Sequence, residues 1–253
     1  MSVIGVVSMK GGVGKTTTTA NLASALAIKL GRGSVSVLDL DPQNALRWHL
    51  GLPDTQQGVC DLSRRGGDWR QVAFPSPFNV LCLPYGQADE IGRMAFEDVL
   101  EQHPRWVSDQ LDRAGLKQNA LVLIDTPPGP SVYLRQVFAC ADFILVVLLA
   151  DAGSYATVPA MQTWRADASA TRPNLGVYYV LNQVDRSDPL NRDTAAFLHQ
   201  QLVSCICPVD IHGDEAVGEA LAFTQPVLQY EPHAQASLDM TRLATWVLDM
   251  LNR

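Results

Sequence analysis

The sequence lacks any uninterrupted apolar run of the ~20 residues that a membrane-spanning helix needs, so no such helix is expected. Its first apolar stretch is cut at once by Lys10 and the glycines that follow, so no secretory leader is expected. Basic charge is scarce as well. The 19 Lys and Arg against 26 Asp and Glu leave a formal net charge of −7, which provides no global attraction to DNA or to anionic lipid. The five cysteines (Cys60, Cys82, Cys140, Cys205 and Cys207) are odd in number and scattered. That pattern offers no disulfide framework, and a reduced, cytoplasmic chain is expected. Internal repeats, low-complexity tracts and composition shifts are missing too. With 253 residues, 47% of them hydrophobic, the chain can bury a sizeable core, and one domain spanning 1–253 is expected.

What is present is a series of short apolar runs with helical patterns between them. The runs are VIGVVS (3–8), SVSVLDL (34–40), NVLCLP (79–84), ALVLIDT (120–126), DFILVVLL (142–149), LGVYYVLN (175–182) and CICPVDI (205–211). They are apolar throughout rather than alternating, as strands buried on both faces are. Residues 17–30, 159–170, 191–203 and 234–251 read as helices. The alternation predicts an α/β fold: a doubly wound, mostly parallel sheet flanked by helices. Residues 42–77 are the least regular region, where RRGGDW and FPSPF mark loops and the sequence says little about the arrangement.

Between the first run and the first helix lies KGGVGKTT, residues 10–17. Gly11, Gly12, Val13 and Gly14 let successive backbone N–H groups converge on a phosphate, and Lys15 reaches the β- and γ-phosphates. The Thr16 hydroxyl suits Mg²⁺, and Thr17 completes the binding loop. Two further runs end in acids: Asp39 and Asp41 in VLDLDPQ, and Asp125 in LVLIDTPPG. Parallel sheets bind ligands at the carboxyl ends of their strands, so these acids share an edge with the phosphate loop. Asp125 is then the magnesium partner, through water, in the Walker B role. Asp41 is the candidate to orient an attacking water. A strand-end aspartate also serves as a helix cap or turn residue, and that reading stays open for Asp39.

KGGVGKTT, DLDPQ and DTPPGPS together resemble the deviant Walker A ATPases, the group that includes the MinD and ParA proteins. The resemblance runs over nearly the whole chain, since CPVDIHGDEAVGEALAFTQPVLQYEP is similar to that family's late segment, a proline, an acid-alanine helix and a PV strand. GDWRQ, LPYGQ and IHGDEAVGEALAFTQPV are most similar to the BcsQ branch, encoded with bacterial cellulose synthases. The resemblance implies a P-loop NTPase fold, ATP and Mg²⁺ as cofactors, weak ATPase activity and a homodimer closed across ATP. It also implies cytosolic subunits of a cellulose-secretion complex as partners, through which any recruitment to the inner membrane would pass. Lys10 matches the signature lysine that reaches the partner's nucleotide, Asp41 matches the aspartate assigned to hydrolysis, and Lys10, Lys15 and Asp41 form the implied catalytic set. Asn182 serves adenine, assisted by backbone near Pro208.

Asn182-x-x-Asp185 also has the spacing with which GTPases read guanine, and Asp185 is equally readable as a solvated loop residue. ATP is expected. Cys205 and Cys207 have strand-face spacing with no completing zinc ligands, so buried thiols are expected. His212, beside Asp214 and Glu215, precedes a helix whose positive end those acids suit. Three other functions share the same loop. A partition ATPase acting on nucleoid DNA would show a basic surface and steep salt dependence. A MinD-type division protein would end in a basic amphipathic helix, whereas TRLATWVLDMLNR reads as a helix packed on the domain, so direct membrane binding is not expected. A nucleotide-binding scaffold would turn over little.

Overall fold

The computed structural model describes residues 2–54, 56–116 and 121–252. Seven strands form one sheet: β1 (Ser2–Val7), β2 (Val35–Asp39), β3 (Phe74–Pro75), β4 (Val80–Leu83), β5 (Leu121–Asp125), β6 (Phe143–Leu149) and β7 (Gly176–Asn182). Their order is β3-β4-β2-β5-β1-β6-β7, and every pairing is parallel except that of β3 with β4. Each of the first six apolar runs therefore contains a strand. Ala120, the first residue of the run at 120–126, lies outside the described residues, as do Met1 and Arg253 of the expected domain.

The unbroken apolar runs follow from burial on both faces. In β6, Ile144, Val146 and Leu148 join one core, while Phe143, Leu145 and Val147 join the other. β5 divides likewise, with Val122 and Ile124 against Leu121 and Leu123. The helices Lys15–Leu30 and Gln235–Leu251 pack together over the second core. The Glu90–Gln102, Trp106–Arg113, Val132–Cys140 and Val158–Thr171 helices lie over the first. Val132–Cys140 approaches β1 so closely that a Cβ on Gly5 would stand 2.3 Å from Val137 Cγ1.

The expected strand at 205–211 is not one. The segment runs beside β7 with isolated bridges at Ile206 and His212. The Tyr179 N–H donates to the Cys205 carbonyl at 2.8 Å, the Cys207 N–H to the Tyr179 carbonyl at 2.7 Å, and the Ile211 N–H to the Leu181 carbonyl at 2.9 Å. The next donor that would face β7, the Val209 N–H, turns back to Cys207 Sγ at 3.4 Å, so pairing breaks between these contacts. The expected PV strand is also corrected, because Pro226 caps a short helix, Val227–Tyr230. Residues 42–77 hold more than loops. They contain helices Leu46–His49 and Val59–Arg64, a 3₁₀ turn at Trp69–Val72, and β3. Trp69 is fully buried there, its Nε1–H donating to Ser63 Oγ at 3.0 Å.

Candidate functional site

The chain leaves β1 and turns into the Lys15–Leu30 helix through a loop fixed by Gly14, at φ 81° and ψ 26°. A Cβ at Gly14 would stand 2.4 Å from Asn182 Nδ2, so a larger residue would meet both a strained backbone and a clash. Asn182, at the end of β7, closes onto the loop by donating from Nδ2 to the Val13 carbonyl at 2.8 Å. The helix starts with no side-chain cap and no acid in its first turn. Its first N–H groups and positive end are thereby available to an outside anion. Lys15 is 7% exposed, with Nζ 3.6 Å from Asp125 Oδ1.

Parallel register brings the carboxylates together, since Asp39 of β2 pairs with Asp125 of β5. Thr16 Oγ1 donates to Asp125 Oδ2 at 2.6 Å, and Thr19 Oγ1 to Oδ1 at 3.4 Å. Burial raises the Asp125 carboxyl above its ordinary range, against the opposing pull of Lys15 and Thr16. Asp39 is held well above that range by burial and then by the charge of Asp125. Both oxygens of Asp39 are committed locally. They accept from the Asp41 N–H at 2.9 Å and the Leu46 N–H at 3.1 Å. Asp39 thus acts through its neighbour, fixing the turn that presents Asp41, and the turn-residue reading is the one that holds. Asp41 accepts from the Gln43 N–H at 2.9 Å and is 8% exposed.

Beside the loop lies a cavity of about 530 Å³, lined by Gly14, Thr17, Asn182, Gln183, His212 and Gly213 among others. Asp185 does not line it. That carboxylate is exposed and accepts from the Ser187 N–H at 2.8 Å and the Ser187 hydroxyl at 2.6 Å, which lower its pKa. Pro208 is exposed and also stands outside the lining, so His212 and Gly213 are what its segment brings to the cavity. His212 is clamped to the buried Asp239, donating its N–H at 3.1 Å and sharing Nδ1 at 2.7 Å with the same oxygen. Asp214 caps the Glu215–Ala222 helix, accepting from the Ala216 N–H at 3.0 Å. Cys205 and Cys207 are buried, and burial pushes the Cys207 thiol up to about 12. Among the described residues, no group of three His, Cys, Asp or Glu could hold a metal.

Lys10 is turned to another strand end. Its Nζ donates to Asp151 Oδ2 at 2.6 Å, just past β6, and Asp151 also accepts from the Ser154 N–H at 2.6 Å. Asp151, Thr19 and Gln183 are site residues that the sequence reading missed. Asp151 carried the signal, being a further carboxylate immediately after an apolar run.

The residues fit a nucleoside triphosphate with Mg²⁺. An uncapped helix start beside a buried lysine calls for an anion, and the Thr16 hydroxyl with the Asp125 carboxylate is the oxygen donor set that Mg²⁺ takes. The Gln235–Leu251 helix, like every helix of the described residues, is too short or too polar to cross a membrane.

Comparisons with known proteins agree with this geometry. The family model described as "Cellulose biosynthesis protein BcsQ" matches residues 1–248. The cellulose biosynthesis protein BcsQ of Salmonella typhimurium strain LT2 is 29% identical over 258 residues, covering 98% of this chain and 94% of that protein. The protein of the same description from Escherichia coli K12 is 30% identical over 257 residues, covering 98% and 94%. The septum site-determining protein MinD of Pyrococcus horikoshii OT3, solved with Mg-ADP, superposes with a TM-score of 0.78 at 23% identity, covering 97% of this chain and 95% of that one. The sheet and its flanking helices are those of a P-loop NTPase of the MinD and ParA type. With the family model matched from the first strand to the last helix, the chain belongs to the cellulose biosynthesis protein BcsQ family.

Proposed function

We propose that the chain is an ATP-dependent dimerising switch of the MinD and ParA type, a weak ATPase that supports assembly or placement of a bacterial cellulose-secretion complex through its cytosolic subunits. The observation that supports it best is the second lysine. Lys15 already supplies a cation inside the phosphate loop, whereas Lys10 points to Asp151 at the rim, and that pair is 35% and 39% exposed. An ion pair so exposed contributes about 0–1 kcal/mol. Lys10 can therefore leave Asp151 at little cost and contact the nucleotide of a facing subunit, so that the γ-phosphate governs association.

Within each subunit, the loop N–H groups and Lys15 bind and orient the phosphates. Thr16 and Asp125 would hold Mg²⁺, which neutralises charge on the β- and γ-phosphates when bound. Asp125 is raised by burial, and cations beside it favour its charged form. Asp41, fixed by Asp39, orients the attacking water. The cavity beside Asn182 takes the base, and the withdrawal of Asp185 from that cavity favours adenine over guanine.

Light scattering with saturating ATP and Mg²⁺ tests the switch. The parent chain is expected to dimerise. Lys10→Ala is expected to remain a monomer that still binds ATP, while Lys15→Ala loses most of the binding. A Lys10→Ala protein that dimerises like the parent would refute the trans contact.

A further inference from the structure

Away from the nucleotide edge, a cavity of about 860 Å³ opens between the Trp106–Arg113, Val132–Cys140 and Val158–Thr171 helices. Its apolar wall is aromatic. Phe138 is nearly buried, and Trp164 packs against it with ring centroids 5.6 Å apart. The Val158–Thr171 helix buries only Val158 and Met161 among its described residues, so Trp164 stands in the cavity wall rather than in the core.

The polar part of the lining is cationic. Arg105, Arg135 and Arg172 face Asp167 as the one carboxylate among the lining residues. Glu101 and Asp142, just outside the lining, balance two of these charges. The Arg105 side chain has no ion-pair or hydrogen-bond partner among the described residues. Arg135 pairs with Glu101 at 2.6 Å, both more than half exposed, and Arg172 lies 3.6 Å from Asp142 while donating to the Phe138 carbonyl at 3.2 Å. The exposed Arg135–Glu101 pair exchanges partners at little cost. Guanidinium groups hold carboxylate, sulfonate or phosphate oxygens through two parallel hydrogen bonds, and aromatic walls favour a planar ring. The volume falls within the ~300–1,000 Å³ of small-molecule sites.

We propose that this cavity is a second ligand site, which takes a small organic anion with a planar aromatic body. The ring lies against Trp164 and Phe138, and the anionic group sits on Arg105, Arg135 and Arg172. A charged probe and its neutral counterpart test it: 1-anilinonaphthalene-8-sulfonate, and N-phenyl-1-naphthylamine, which has the same rings without the sulfonate. Fluorescence titrations of the folded protein, with ATP and Mg²⁺ present, are expected to show one saturable sulfonate site, bound at least tenfold more tightly than the neutral amine. Arg105→Glu, an exposed substitution, is expected to weaken the sulfonate about tenfold or more, and Arg105→Lys to restore part of the loss. Trp164→Ala is expected to weaken both probes. Unchanged circular dichroism and an unchanged ATP-induced thermal shift show that each variant is folded. Equal affinity for the two probes would overturn the proposal, as would sulfonate binding that is indifferent to both Arg105→Glu and Trp164→Ala.

Discussion

Asp41 reaches the phosphate edge on a turn held by both oxygens of Asp39, so under the proposed mechanism its replacement would remove a group that orients water without removing one that binds phosphate. Asp41→Ala is expected to bind ATP and dimerise as the parent does while hydrolysing it about 10²–10⁴-fold more slowly, as single-turnover measurements would show. Hydrolysis at the parental rate would remove Asp41 from that role. His49 carries a different kind of prediction. Burial lowers its pKa to about 4, against ~6.5 in the unfolded chain. A depressed folded pKa means that the unfolded state binds the proton better. Its contribution to stability is therefore full above pH ~6.5 and is lost as the pH falls towards 4. Between pH 7.5 and 5, His49→Leu is expected to lose about 2 kcal/mol less than the parent, measured by urea unfolding at both values. The meeting of Lys15, Thr16 and Asp125 was legible because loop, strand end and helix start are local patterns. Asp151 was not, although it follows an apolar run, because its partner Lys10 lies 141 residues away. The Asn182-x-x-Asp185 spacing was ambiguous for a related reason. Only the turn with Ser187 decides that Asp185 faces solvent.

At the scale of elements, the phosphate-loop helix is tied to the late segment by one buried side chain. Asn21 Nδ2 donates to the Thr17 carbonyl at 2.8 Å, and Oδ1 accepts from the Val227 N–H at 2.7 Å. Asn21→Ala leaves that N–H buried without a partner and is expected to cost about 1–3 kcal/mol, read from the shift in urea midpoint. No shift would mean that water satisfies the freed group. The same contact explains why the PV segment could not be read locally. The family resemblance suggested a strand, while the Asn21 bond and the turn of Pro226 set a short helix. In 205–211, likewise, hydrophobicity suggested a strand, though the chain turns after Cys207 and the Val209 N–H goes to Cys207 Sγ instead of to β7. The first six apolar runs were legible because burial on both sheet faces imposes continuous apolarity. Residues 42–77 were not, since Trp69 is secured by Ser63 and by core residues far along the chain rather than by any period.

For the molecule as a whole, two cores on opposite faces of one sheet should melt together. Calorimetry is expected to give a single endotherm over the full chain, moved upward by ATP with Mg²⁺. With ligand at 100 times Kd the added stability is about 2.7 kcal/mol. Two separable endotherms would contradict the single-domain reading, and an unmoved one would contradict nucleotide binding by the folded state. The borders of the sheet carry a further consequence. On one side β3 is only two residues long, and its second, Pro75, has no N–H to offer. On the other, both backbone groups of Tyr179 and the Leu181 carbonyl are already taken by Cys205, Cys207 and Ile211. Both borders are thus blunted as templates for another chain's strand, which works against open-ended growth of the sheet. Under the proposed switch, association uses the loop-bearing edge, where a two-fold partner would close the contact and the assembly would stop at two.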